Sequence, residues 1–130
     1  YNAYYKLVML LTIINYCGRS NKASLQLVHL VFWSLRNDKN YQVLYDLKKG
    51  TRNSLIPWSF EFGIEKVLAL GYIEEYIQKK IGSNTLEVEI TKRGNFKIGR
   101  ITMQRKGGDG GRKTAQMLQF KINPAELFNN

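Results

Sequence analysis

Chemistry in this chain would have to come from a few places. Cys17 and His29 are its only thiol and its only imidazole. A nucleophile and its base would need to lie within hydrogen-bond reach of each other, and a metal site would need ligands beyond one histidine and one cysteine. Both residues sit in apolar helical patterns, so Cys17 reads as a buried thiol and His29 as a partly buried structural histidine. The carboxylates offer two pairs. Glu74 and Glu75 are adjacent, and on a strand they would leave on opposite faces. Glu87 and Glu89 share one face, the outward one near Lys79 and Lys80, where cross-strand ion pairs account for them. A nuclease metal site would need carboxylates gathered in a pocket. The sequence shows no such gathering, so no catalytic residue, metal ligand or cofactor site is expected, and the chain reads as a non-enzyme.

The basic residues are more informative. Ten of the 20 Lys and Arg fall between Lys79 and Lys113, against three acids, Glu87, Glu89 and Asp109. Lys79 and Lys80 belong to a hairpin, and Lys92, Arg93, Lys97 and Arg100 follow it. On a helix, Arg93, Lys97 and Arg100 recur at i, i+4 and i+7 and share a face. A row of cations can follow the repeating phosphates of a duplex, with salt-dependent affinity. Such contacts position a protein without reading sequence. The six residues Lys79, Lys80, Lys92, Arg93, Lys97 and Arg100 are therefore the expected DNA-binding set. The glycine-rich run Gly107-Gly108-Asp109-Gly110-Gly111 lies between Arg105-Lys106 and Arg112-Lys113. It lacks the GxxxxGK[ST] spacing of a phosphate loop and reads as a flexible basic loop.

These residues need a scaffold, and 130 residues with 44% hydrophobic and 12% aromatic content suffice for one packed domain. The net charge of +10 favours an anionic partner. The apolar run Leu7–Ile14 is eight residues long, well short of the roughly 20 that span a bilayer. No signal peptide and no membrane partner are expected, and a cytoplasmic location is.

Periodicity supplies the elements. Residues 2–17 form a helix apolar over most of its surface, hence central, with Gly18 closing it. The polar stretch 19–24 reads as a turn in which Asn21 or Ser24 caps a second helix, 24–36. A third helix spans 40–49 and stops at Gly50. Pro57, with Ser54 as an upstream cap, predicts a fourth helix over 58–70 that buries Phe60, Ile64, Val67 and Leu68 and ends at Gly71. The period then shortens to two. Residues 72–77 read as a strand, Gly82-Ser83-Asn84 as a turn, and Leu86, Val88 and Ile90 as the inward face of a second strand. Thr91 caps a helix from Lys92 to about Met103, with Phe96 and Met103 inward. The expected fold is α+β and mainly helical: a winged-helix domain over residues 1–103, helical core plus β-hairpin wing. A flexible basic loop and C-terminal extension occupy 104–130, with a short terminal helix from Asn123-Pro124.

The runs LLTIINYCGRSNKASLQLVHLVFWSLRND (10–38), FEFGIEKVLALGYIE (60–74) and ITKRG (90–94) resemble the middle component of three-component ABC ATPase (ABC-3C) defence systems. They are similar to the small C subunit of Lamassu antiphage systems. The resemblance covers about residues 4–103 and leaves 104–130 unmatched. It implies a winged helix and a bacterial, non-catalytic adaptor that bridges an SMC/Rad50-like ATPase subunit and a nuclease or other effector subunit. Such complexes act on phage or plasmid DNA. The expected role is to hold the effector inactive until DNA is sensed, with the basic side touching double-stranded DNA through phosphates. The alternative is a free-standing winged-helix transcriptional regulator. Against that alternative, the helix predicted over 58–70 carries Glu61 and Glu65 with only Lys66, a poor composition for reading base edges. Surplus aromatics, among them Tyr1, Tyr4, Tyr5, Tyr41, Tyr45, Trp58 and Phe128, suit a subunit with protein partners.

Overall fold

The computed structural model describes residues 3–82 and 85–104, with side chains described through Gly99. Five helices and three strands follow one another: α1 (Ala3–Cys17), β1 (Lys22–Ser24), α2 (Leu25–Ser34), α3 (Asp38–Lys49), α4 (Ile64–Ile73), β2 (Ile77–Ile81), β3 (Leu86–Ile90) and α5 (Lys92–Gln104). The strands form one antiparallel sheet in the order β1-β3-β2. The architecture is α+β and mainly helical. Of the expected loop and extension at 104–130, Gln104 is the last residue of α5, and 105–130 lie outside the described residues.

α1 is the central element, as its apolar girth predicts. Leu7, Leu10, Leu11, Ile13, Ile14 and Cys17 are buried, and α1 packs against α2, α4, α5, β1 and β3. Tyr4 and Tyr5, expected on its apolar stripes, are exposed. α2 is buried along most of its length, from Leu27 to Ser34. Its cap is Ser24, whose Oγ accepts the Leu27 N–H at 3.1 Å. Asn37 caps α3, its Oδ1 accepting the Asn40 N–H at 2.8 Å. Gly50 ends α3 in the left-handed region, φ +82°, where a residue without Cβ is least strained.

Three expectations fail. The stretch 22–24 is not only a turn: it is β1, pairing Lys22 with Glu89, Ala23 with Val88 and Ser24 with Glu87. Three residues are too few to display a period, so only the partner strand reveals them. The helix expected over 58–70 begins at Ile64 instead, and 51–63 is irregular. Phe60, expected inside, is exposed. The same helix then runs past Gly71 to Ile73, so the strand expected over 72–77 does not form there and β2 begins at Ile77. Gly71 sits inside α4 because Ile77 packs over it; a Cβ there would come within 2.8 Å of the Ile77 side chain. α4 closes two residues later. Tyr76 N–H donates to Gly71 O at 2.9 Å and Glu75 N–H to Tyr72 O at 3.1 Å, with Glu75 left-handed at φ +61°. This is the paired-bond helix ending that glycine usually makes.

β2 and β3 form the hairpin in the register Ile77↔Ile90, Lys79↔Val88 and Ile81↔Leu86 on one face, with Gln78↔Glu89 and Lys80↔Glu87 on the other. Ile77, Val88 and Ile90 are buried, whereas Ile81 and Leu86 are exposed: the hairpin tip reaches past the core. Thr91 caps α5 as expected, its Oγ accepting the Gly94 N–H at 3.1 Å and donating to Glu75 O at 2.6 Å. Gly94 is required by close approach, since a Cβ there would collide with the Tyr76 carbonyl oxygen. α5 turns Ile98 inward and leaves Phe96 exposed, the reverse of the expected face for Phe96.

Candidate nucleic-acid interface

The six expected DNA contacts lie on β2 and α5. Lys79 and Lys80 are neighbours on a strand, so they leave on opposite faces of the sheet. The Lys79 ammonium lies 5.6 Å from the centre of the Tyr72 ring. Lys80 Nζ is 3.7 Å from Glu89 Oε1, the cross-strand link expected there; Gln78 Nε2 also donates to Glu89 Oε1, at 2.6 Å. On α5, Lys92 is exposed and Lys97 half-buried. Arg93 is tied down. Its Nε donates to Glu74 O at 2.9 Å, Nη2 lies 3.9 Å from Glu74 Oε2, and the guanidinium carbon is 5.3 Å from the centre of the Tyr76 ring. Arg100 belongs to α5, but its side chain lies outside the described residues. The structure brings Arg93 to the root of the hairpin and carries Lys79 and Lys80 towards its tip.

A second charged centre was not anticipated. Lys6 on α1 and Arg36 beyond α2 converge on Glu61 of the connector before α4. Lys6 Nζ is 2.6 Å from Glu61 Oε1, and Arg36 Nη2 is 3.5 Å from Glu61 Oε2. The same two cations hold the neighbouring backbone. Arg36 Nη1 donates to Ser59 Oγ at 2.9 Å, Arg36 Nη2 to Phe60 O at 3.2 Å, and Lys6 Nζ to Phe62 O at 3.3 Å. His29 completes the arrangement. Its Nδ1 accepts the Glu61 N–H at 2.9 Å, and its ring stacks on Phe60 with centroids 4.4 Å apart. Trp58 tilts against Phe60 at 5.5 Å. Burial lowers the His29 pKa, and the Glu65 and Glu61 carboxylates oppose that shift. The ring is therefore neutral at pH 7, with Nδ1 as acceptor. No local pattern links Lys6, Arg36 and Glu61, which are distant in sequence; an acid within the aromatic run Trp58–Phe62 was the available signal.

Cys17 is buried, as expected, and burial pushes its thiol up to about 12, so it is protonated at neutral pH and a poor nucleophile. Among the described residues, no group of three or more His, Cys, Asp or Glu could hold a metal ion. Glu61, Glu74 and Glu89 are each engaged by cations. Asp109 and Glu126 lie outside the described residues. No helix among the described residues is long and apolar enough to cross a membrane.

Against this geometry, the model of one protein family, described as R.HinP1I restriction endonuclease, matches residues 20–128. No curated protein and no solved structure matches. The family match overturns the expectation of a non-enzyme, since restriction endonucleases are nucleases. That expectation came from the lack of a visible carboxylate or histidine cluster in the sequence.

Proposed function

Because this chain belongs to the R.HinP1I restriction endonuclease family, we propose that it is part of a nuclease that binds and cleaves duplex DNA. The observation that carries the reading is the family match across most of the chain. The charge supports it: a net +10, with half of the cations between Lys79 and Lys113, is the electrostatic footprint of a polyanion partner. In this reading the fold is a winged helix, supported by the sheet order β1-β3-β2 and by a helix leading directly into the hairpin. Lys79, Lys80, Lys92, Arg93, Lys97 and Arg100 hold phosphates. α4 presents Glu65, Lys66, Ala69 and Ile73 to solvent, a set poor in groups that read base edges, so the contribution of this region is grip rather than sequence choice.

Nucleases commonly use metal ions held by clustered carboxylates. The described residues do not fit such a site, and no step of the cleavage is assigned to them. The test is incubation of the full protein with supercoiled plasmid and Mg²⁺. The expected outcome is nicked or linear product that EDTA abolishes; binding to DNA without any cleavage would defeat the nuclease reading. Charge reversal at Lys79, Lys80, Arg93 and Lys97 tests the grip. Each lost phosphate contact lowers the slope of log affinity against log salt by about 0.9, and an unchanged slope would remove these residues from the interface.

A second reading is favoured by the exposed apolar side chains Phe62, Ile73, Ile81 and Phe96, each more than two-thirds exposed. Side chains of this kind are enriched where proteins meet. In that reading the chain is also a subunit beside an SMC-like ATPase in a cytoplasmic defence complex. Purification from its own operon tests it, and recovery of the chain alone would count against it.

A further inference from the structure

Four consecutive residues of the connector, Ser59 to Phe62, are held without regular secondary structure. Backbone or side-chain atoms of each accept or donate a polar contact, or stack, with Lys6, His29 or Arg36. Most of these contacts are made by the cations Lys6 and Arg36. One hydrogen bond is made by the imidazole: the Glu61 N–H donates to His29 Nδ1. An imidazole nitrogen accepts only while it carries no proton. Protonated His29 would present an N–H to the Glu61 N–H, turning the bond into a contact between two donors.

We propose that His29 is a proton-operated clasp that holds Phe60 and Glu61 against α2 at neutral pH and opens on mild acidification. Opening loosens the Glu61 amide and the Phe60 ring, already 65% exposed, while Lys6 and Arg36 keep their contacts with Glu61 and the neighbouring backbone. The charged groups around the ring set the poise. Glu61 of the connector and Glu65 of α4 favour the proton; burial opposes it and is the larger influence. Lys6 from α1 and Arg36 from beyond α2 occupy the Glu61 carboxylate, which limits its ability to receive the imidazolium as a partner. α2 itself carries no acidic residue. The clasp therefore favours the neutral ring, and acid works against it. This inference does not depend on the nuclease reading.

The test uses the full chain and its single histidine, whose titration is unambiguous by NMR. Between 6.5 and the lowered pKa of the closed ring, each pH unit of acidification disfavours the closed state by up to about tenfold. The expected result is loss of hydrogen-exchange protection at the Glu61 amide, about tenfold between pH 7 and pH 5 after correction for intrinsic rates. Protection at Leu30 and Val67, inside the helices, should stay constant. The midpoint should coincide with the titration of the His29 ring. His29→Asn keeps an uncharged acceptor near the position of Nδ1 and should abolish the pH dependence; His29→Phe keeps the stack, removes the acceptor and should leave Glu61 poorly protected at every pH. The proposal is overturned if wild-type protection at Glu61 does not change with pH, if its midpoint departs from that of the ring, or if His29→Asn loses protection as the wild type does. The comparison of midpoints needs no variant, so a His29→Asn chain that fails to fold leaves the test intact.

Discussion

The hairpin with α5 is fastened to α1 and α4 and the connector before α4 to α1 and α2, by different forces. The hairpin is held by apolar burial and by its ladder. Ile77, Val88, Ile90 and Ile98 are buried, and backbone bonds from Ile90 N–H to Asn21 O at 2.8 Å and from Thr91 N–H to Tyr76 O at 3.0 Å extend the ladder beyond the paired strands. The connector has no ladder. Its end is pinned by Lys6, His29 and Arg36 on one short stretch. Apolar packing depends on shape and volume and is indifferent to pH. Polar pinning is indifferent to small volume changes and sensitive to charge. The two regions should therefore fail under different perturbations.

The largest effect is expected where shape rules. Gly94→Ala puts a methyl into the Tyr76 carbonyl, and the obstacle is backbone, which yields poorly. A loss of about 3 kcal/mol in urea unfolding is expected; a loss below about 0.5 kcal/mol would mean that α5 does not pack as described. Next comes Glu61→Gln, which keeps the shape and removes the charge between Lys6 and Arg36. Bonds to a largely buried carboxylate predict a loss of about 1.5 kcal/mol, with no disturbance of hairpin amide protection. An equal response of both regions would erase the contrast between them.

A smaller effect follows from His29. Its folded pKa is lowered from 6.5 by burial, so between that lowered value and 6.5 the unfolded chain holds more protons. Stability then rises with pH in this window: the contribution is complete above 6.5 and is lost as pH falls through the window. Urea midpoints at pH 7 and pH 5, compared with those of His29→Asn, measure it; a wild type that gains stability on acidification relative to the variant would refute the sign. The smallest effect belongs to the exposed pair Lys80–Glu89. Lys80→Ala should cost about 0.5 kcal/mol or less, so a weakened DNA affinity in that variant would report contact rather than misfolding.

Much of the helical core was readable from spacing. α1, α2 and α3 each show an apolar period, and their ends carry local signals in Ser24 and Gly50. Thr91 and the alternation at Leu86, Val88 and Ile90 likewise located the cap of α5 and strand β3. The failures share a cause. Pro57 and Ser54 resemble a helix start, and the apolar residues of 58–70 suit a helix face, yet Lys6, His29 and Arg36 bind the same stretch, and it stays irregular up to Ile64. Local propensity lost to tertiary contacts that no window of sequence contains.

By itself the sequence determined the charge asymmetry, the buried central helix and the presence of a hairpin, because these depend on composition and on periods within a few residues. Only the tertiary structure decided that 22–24 is a strand, that Phe60 faces His29 rather than the core, and that Glu61 meets Lys6 across 55 positions of chain. Such contacts are chosen by which surfaces the packed helices bring together, and that choice is made in three dimensions.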